Sequence, residues 1–94
     1  MYAALGQASI DATRLAEADK ALEENLIPWV SSMDGFVSGT WTRSPDGTQG
    51  RSLILFDTEE NAQAAAEAGR AQGPPPGAPI SITSVDVFEV VGQA

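Results

Sequence analysis

The chain has 94 residues, of which thirteen are Asp or Glu and five are Lys or Arg, giving a formal net charge of −8, with no His and no Cys. That length accommodates a single domain, residues 1–94, and its negative charge disfavours nucleic-acid phosphates and anionic membrane surfaces as partners. Without Cys, neither a disulfide, a thiolate nucleophile nor a Cys-ligated metal is available; no apolar run approaches the roughly 20 residues of a membrane span, and MYAALGQASID lacks a signal peptide's basic region, so a cytoplasmic location is expected.

Tyr2 to Ile10 is short-chained and largely apolar, with Leu5 and Ile10 as its bulkier aliphatics, and predicts a strand that ends at Asp11-Ala12-Thr13-Arg14. Leu15, Ala18, Leu22, Leu26 and Trp29 then recur at steps of three and four, the signature of a helix with one apolar face and Asp11 as its cap. That spacing assigns Trp29 to the helix core, without a site role. Pro28 removes one backbone hydrogen bond, so the last turn before Met33-Asp34-Gly35 is expected to be kinked or irregular.

Phe36 to Arg43 is strand-like, Ser44-Pro45-Asp46-Gly47 carries the residues of a type I turn, and Arg51 to Phe56 supplies the second strand of a hairpin. Leu53, Ile54 and Leu55 in succession predict a strand covered on both faces. Asp57 and Glu60 form a capping-box pattern ahead of a second helix whose stripe of Ala62, Ala65, Ala66 and Gly69 lets it sit close to the sheet. Gly73 and the three prolines after it stop that helix, and the β-branched and aromatic run Ile80 to Val91 predicts the last and longest strand.

The order is βαββαβ, which predicts an α+β, ferredoxin-like domain: a four-stranded antiparallel sheet with both helices on one face. Three stretches carry a family likeness: Gly35-Phe36-Val37 after the Pro28 helix, Trp41-Thr42-Arg43 leading into the Asp46-Gly47 turn, and Ser52 to Glu60 with an Ala-rich helix behind. Through them the whole chain resembles the dimeric α+β barrel superfamily, and within it the small antibiotic-biosynthesis-monooxygenase-like (ABM-like) domains. The resemblance implies a homodimer built by packing two sheets face to face, and a ligand between sheet and helices in each subunit. Its motifs are structural ones shared by proteins of different activity, so they specify fold more strongly than function.

Having no His, the chain offers neither the axial haem ligand nor the imidazole base that several members of the resembled superfamily use. The haem-degrading members also resemble one another in a strand-one Asn and a Trp at the end of strand three. Here Asn25 and Asn61 fall on predicted helices and the third strand ends with Phe56. No cofactor and no metal is expected, since Asp57, Glu59 and Glu60 are explained by capping and the helix dipole, and no phosphate-binding glycine pattern occurs.

Among the ligand-contact candidates, Trp41 can stack on a planar molecule or pack in the core. Phe56 and Tyr2 are further candidates for ligand contact; Gln7, able like Tyr2 to hydrogen-bond from the first strand, is also a candidate catalytic group beside Asp86, with a satisfied core amide as the alternative. Arg43 and Arg51 bracket the hairpin loop as a candidate anion clamp, with neutralisation by Asp46 as the alternative. Asp86 is the candidate general base if it points inward, and keeps an edge strand soluble if it points outward; simple alternation groups it with Ile82, Ser84 and Phe88, a mixed face that does not decide.

Three functions fit these residues. The first is a non-catalytic dimeric barrel that binds a small apolar or aromatic molecule. The second is a cofactor-independent monooxygenase or isomerase of an aromatic or polyketide-like compound, which needs an inward-facing polar group. The third is a monomeric ferredoxin-like regulatory module, against which dimerisation through sheet faces would count.

Overall fold

The computed structural model describes residues 1–74 and 76–94. Strands β1 (Tyr2–Ile10), β2 (Phe36–Arg43), β3 (Gln49–Phe56) and β4 (Ile80–Glu89) form one sheet in the order β2-β3-β1-β4, with each neighbouring pair antiparallel. Between β1 and β2 lie a 3-10 turn (Ala12–Arg14), α1 (Leu15–Ala21), a π-helical stretch (Leu22–Leu26) and α2 (Ile27–Ser31); α3 (Glu59–Gln72) follows β3. Each helical crossover therefore skips one strand, the split βαβ arrangement expected from the element order.

The register assigns the faces. Gly6 pairs with Ser52 on one side and Val85 on the other, and Ser52 pairs with Trp41, so these four share one row beneath the helices. One row along, Ala4 lies between Ile54 and Val87. The core grows from this face: Ala4, Phe56 and Ala62 are buried together, with Tyr2, Met33, Phe36 and Ile54 packed around them. Phe56 is fully buried and meets the Phe36 ring edge-on, with centroids 6.3 Å apart and planes at 81°. Ala62 and Ala66 of α3 are fully buried as well, so the small stripe does bring that helix down onto the sheet.

Three local expectations need correction. The irregularity caused by Pro28 begins a turn earlier than its own position: Pro28 has no N–H to give, and the helix widens ahead of it, with Ile27 N–H bonding to Leu22 O five residues back. The cap of α3 is Thr58, whose side chain accepts from Asn61 N–H, while Asp57 Oδ1 accepts from Asn61 Nδ2 at 2.8 Å. Finally, β3 is covered only in part on the side away from the helices, where Leu55 is buried but Leu53 is 45% exposed. Of the three prolines, Pro75 lies outside the described residues; α3 ends at Gln72, before them.

The hairpin turn closes as its residues predict. Gly47 N–H bonds to Ser44 O at 2.9 Å, and Gly47 takes φ +79, a left-handed conformation that a Cβ would strain. Asp46 Oδ1 accepts from Ser44 Oγ, Thr48 N–H and Thr48 Oγ1, and these bonds, Ser44's first, hold its carboxyl down to about 2. A folded-state pKa below the ordinary aspartate value means that the ionised side chain stabilises the fold above about pH 4, a contribution lost as pH falls toward 2. Asp46→Asn should therefore be less stable than wild type at pH 6, with the gap shrinking between about pH 4 and 2; urea unfolding across that range measures it.

Candidate functional site

A cavity of about 110 Å³ lies between the sheet and the helices. It exists because the middle of β1 places small residues on its helix-facing side: between Tyr2 and Ile10, Ala4, Gly6 and Ala8 form the floor, and Gly50 of β3 continues it. Neighbouring strands stand at the same height, so a row without side chains leaves a trough that the helices bridge. The helical roof supplies Leu22, Leu26, Trp29, Val30 and Met33, with Ala65 and Gly69 from α3. The π-helical stretch sets part of this roof, carrying Leu22 and Leu26 at its two ends. At one side Leu26, Trp29 and Ile80 also line a wider open groove, bordered by Asn25, Gln72 and Gly73, so the groove adjoins the cavity.

The apolar wall on β4 depends on an irregularity. Opposite β1, Gln7 meets Ser84 but Ala8 meets Ile82, so Thr83 is an extra residue, and its hydroxyl donates to Gln7 O at 3.1 Å. This bulge resets the alternation and brings Ile80 and Ile82 to the same face as Val85 and Val87. It also settles the mixed face. Asp86, opposite Leu5, is exposed on the sheet side away from the helices, together with Ser84 and Phe88. No inward-facing base is found at that position.

Trp41 forms a cavity wall, its ring folded over Gly39 of the same strand. Trp29, assigned to helix core on its spacing, lines both cavity and groove. A helical period marks which residues point inward but does not say whether they meet protein or empty space, and the signal that could have revealed the space is the Ala4-Gly6-Ala8 alternation. Phe56 stays in the core and Tyr2 sits at its edge, neither lining the cavity; the Tyr2 hydroxyl lies 3.4 Å from Glu89 Oε2, whose charge raises the tyrosine pKa.

The candidate anion clamp is taken apart by the register. Arg51 pairs with Thr42 and Arg43 with Gly50, so the two arginines point to opposite faces. Arg43 is instead 2.5 Å from Asp19 of α1, a half-exposed ion pair worth well under ~1 kcal/mol, and Asp46 is occupied within its own turn. Gln7, Thr42 and Arg51 border the cavity, but alternation directs their side chains to the open face. Among the described residues, Ser52 is thus the polar side chain that faces the cavity, and no ionisable one does so.

No protein-family model and no curated protein sequence matches the chain. Two solved structures resemble it along its whole length. One is a monooxygenase from the gene ActVA-Orf6 of Streptomyces coelicolor in complex with nanaomycin D, with a TM-score of 0.61, 20% identity, 99% of this chain covered and 89% of that one. The other is an antibiotic biosynthesis monooxygenase, so described, from Deinococcus radiodurans, with a TM-score of 0.58, 13% identity, 100% of this chain covered and 95% of that one. The chain has the ABM-like fold. At these identities the likeness speaks for the architecture of the ABM-like domain and not for its chemistry. Among the described residues, no helix is long and apolar enough to cross a membrane.

Proposed function

We propose that this ABM-like domain binds a small, planar, largely apolar molecule between its sheet and helices, and that it does so as a homodimer. The observation that carries the binding reading is the apolar cavity of about 110 Å³ walled by Trp29 and Trp41. An engineered apolar cavity of about 150 Å³ holds benzene. The cavity here is smaller, so it takes at most a single ring, and a second ring extends toward the groove beside Leu26 and Trp29. Isothermal titration with 1-naphthol tests this: saturable binding at one site per chain is expected, and its absence at millimolar concentration overturns the reading.

The second reading is oxygenation of such a ligand without a cofactor, favoured because both structural neighbours are described as monooxygenases. For 1-naphthol the balance is one naphthol and one O₂ giving one naphthoquinone and one water. The ring supplies the electrons, one oxygen atom enters it and the other leaves as water. Binding stands first because, among the described residues, no side chain facing the cavity is an acid or base that could take the ring hydroxyl's proton. Oxygen uptake with stoichiometric naphthoquinone would move the second reading ahead.

Support for the dimer comes from the sheet face away from the helices. Leu5, Leu53 and Phe88 lie there by register, beside the buried Ala3 and Leu55, and Leu53 and Phe88 are 45% and 56% exposed. Four strands of about eight residues present a face of roughly 19 by 27 Å. A flat outline of that size is about two thirds of the roughly 800 Å² each partner gives to a standard interface. Leu53→Lys places a charge at the centre of this patch and should convert a dimer into a monomer in native mass spectrometry. A wild-type chain that runs as a monomer overturns the homodimer.

A further inference from the structure

We propose that Ser52 is the specificity-determining residue of the cavity: its hydroxyl hydrogen-bonds an oxygen carried by the ligand's ring, so the site selects aromatic hydroxyl or ketone compounds over plain hydrocarbons. This rests on the binding function proposed above and adds to it the chemical class of the ligand.

The row Trp41, Ser52, Gly6, Val85 crosses the sheet at the cavity floor. In it an aromatic wall, a hydroxyl, bare backbone and an aliphatic wall follow one another at the few-ångström spacing of cross-strand neighbours. Gly6 is what allows the hydroxyl to lie where it does, since a Cβ at that position would come within 2.4 Å of Ser52 Oγ. The glycine thus does two things: it leaves room for a ring over β1, and it lets the hydroxyl lean across the ring's edge.

Ser52 Oγ makes no hydrogen bond to the described residues, and it is not among the buried side-chain atoms left without a partner. Its hydrogen-bonding capacity is therefore open to whatever occupies the cavity. One donor and two lone pairs accept a ring hydroxyl or donate to a ring ketone equally well. An oxygen placed against the remaining walls would lose its water without compensation, and an unmade hydrogen bond in an apolar site costs more than a made one gains. As the oxygen-bearing side chain that faces the cavity among the described residues, Ser52 therefore fixes which edge of the ring points to β3.

Calorimetry with two probes of nearly equal shape, naphthalene and 1-naphthol, separates this role from simple packing. Wild type should prefer 1-naphthol; Ser52→Ala should weaken 1-naphthol by about fivefold and leave naphthalene unchanged. Ser52→Cys, close in volume but a weak donor, should behave like the Ala variant. Equal losses for both probes would make Ser52 a packing residue and overturn the assignment, as would no loss for either. Failure of wild type to bind either probe overturns the binding function and the assignment with it, whereas naphthalene binding with unchanged 1-naphthol affinity in Ser52→Ala overturns the assignment alone.

Discussion

Trp41→Ala is expected to weaken 1-naphthol binding by about 10- to 30-fold. The indole forms one wall of the cavity and is held in place by lying over Gly39, where a Cβ would come within 2.6 Å of the ring. Removing it deletes most of the apolar surface that a planar ligand covers on that side, a loss of about 1.5–3 kcal/mol by area, and the face or edge contact between rings adds about 0.5–1.5 kcal/mol. Part of that sum is recovered as the site relaxes around the smaller side chain, which brings the expected net to roughly 2 kcal/mol. Trp41 is only half-buried, so the fold should survive, and circular dichroism on the variant checks that it does. Trp41→Phe keeps an aromatic wall and should retain most of the affinity. Unchanged binding in Trp41→Ala would mean that the ligand lies elsewhere.

Phe56→Ala should instead damage stability. Phe56 is fully buried, sits at the end of β3, and packs against Phe36 and the Ala62 stripe of α3. Truncating such a ring costs about 3–5 kcal/mol, because the transfer energy is lost and the surrounding backbone cannot close the void. A domain of this size has only about 5–15 kcal/mol to lose. The midpoint of thermal unfolding should accordingly fall by at least about 12 °C. Val91→Ala is the matching control: Val91 is 92% exposed, and its truncation should stay within about 0.5 kcal/mol of wild type. A mild effect of Phe56→Ala would show that the core is centred elsewhere.

The two predictions divide the aromatic residues by function in a way that composition does not. Phe56 and Trp41 both lie on strands, on the same face of the sheet, and both were candidates for ligand contact. What separates them is the row each occupies. Phe56 lies opposite Tyr2 and Phe36, where bulky neighbours fill the space, while Trp41 shares a row with Ser52 and Gly6, one row from Gly50 and Ala8, where the neighbours are too small to do so.

The sequence by itself determined the order of elements and the fold class, because each element carries a local signal. A three-and-four apolar spacing marks the first helix, Pro45 and Gly47 mark the hairpin, and the β-branched run after Ile80 marks the last strand. These signals depend on neighbours a few residues away, so they are readable from the chain alone. The candidate site was legible only in part. Trp41 could be named as an aromatic in the middle of a strand-like segment, yet nothing local distinguished it from Phe56 or Tyr2.

Tertiary structure decided the rest, through contacts between residues far apart in the chain. One extra residue at Thr83 shifted β4 by a single position, and because side chains alternate with a period of two, that shift moved Asp86 to the open face and Ile82 to the cavity. Cross-strand pairing likewise sent Arg43 and Arg51 to opposite faces and set Ser52 over Gly6. Whether an apolar position meets another side chain or an empty trough depends on the size of the residues across the sheet and under the helix, and that is a property of packing which no local pattern records.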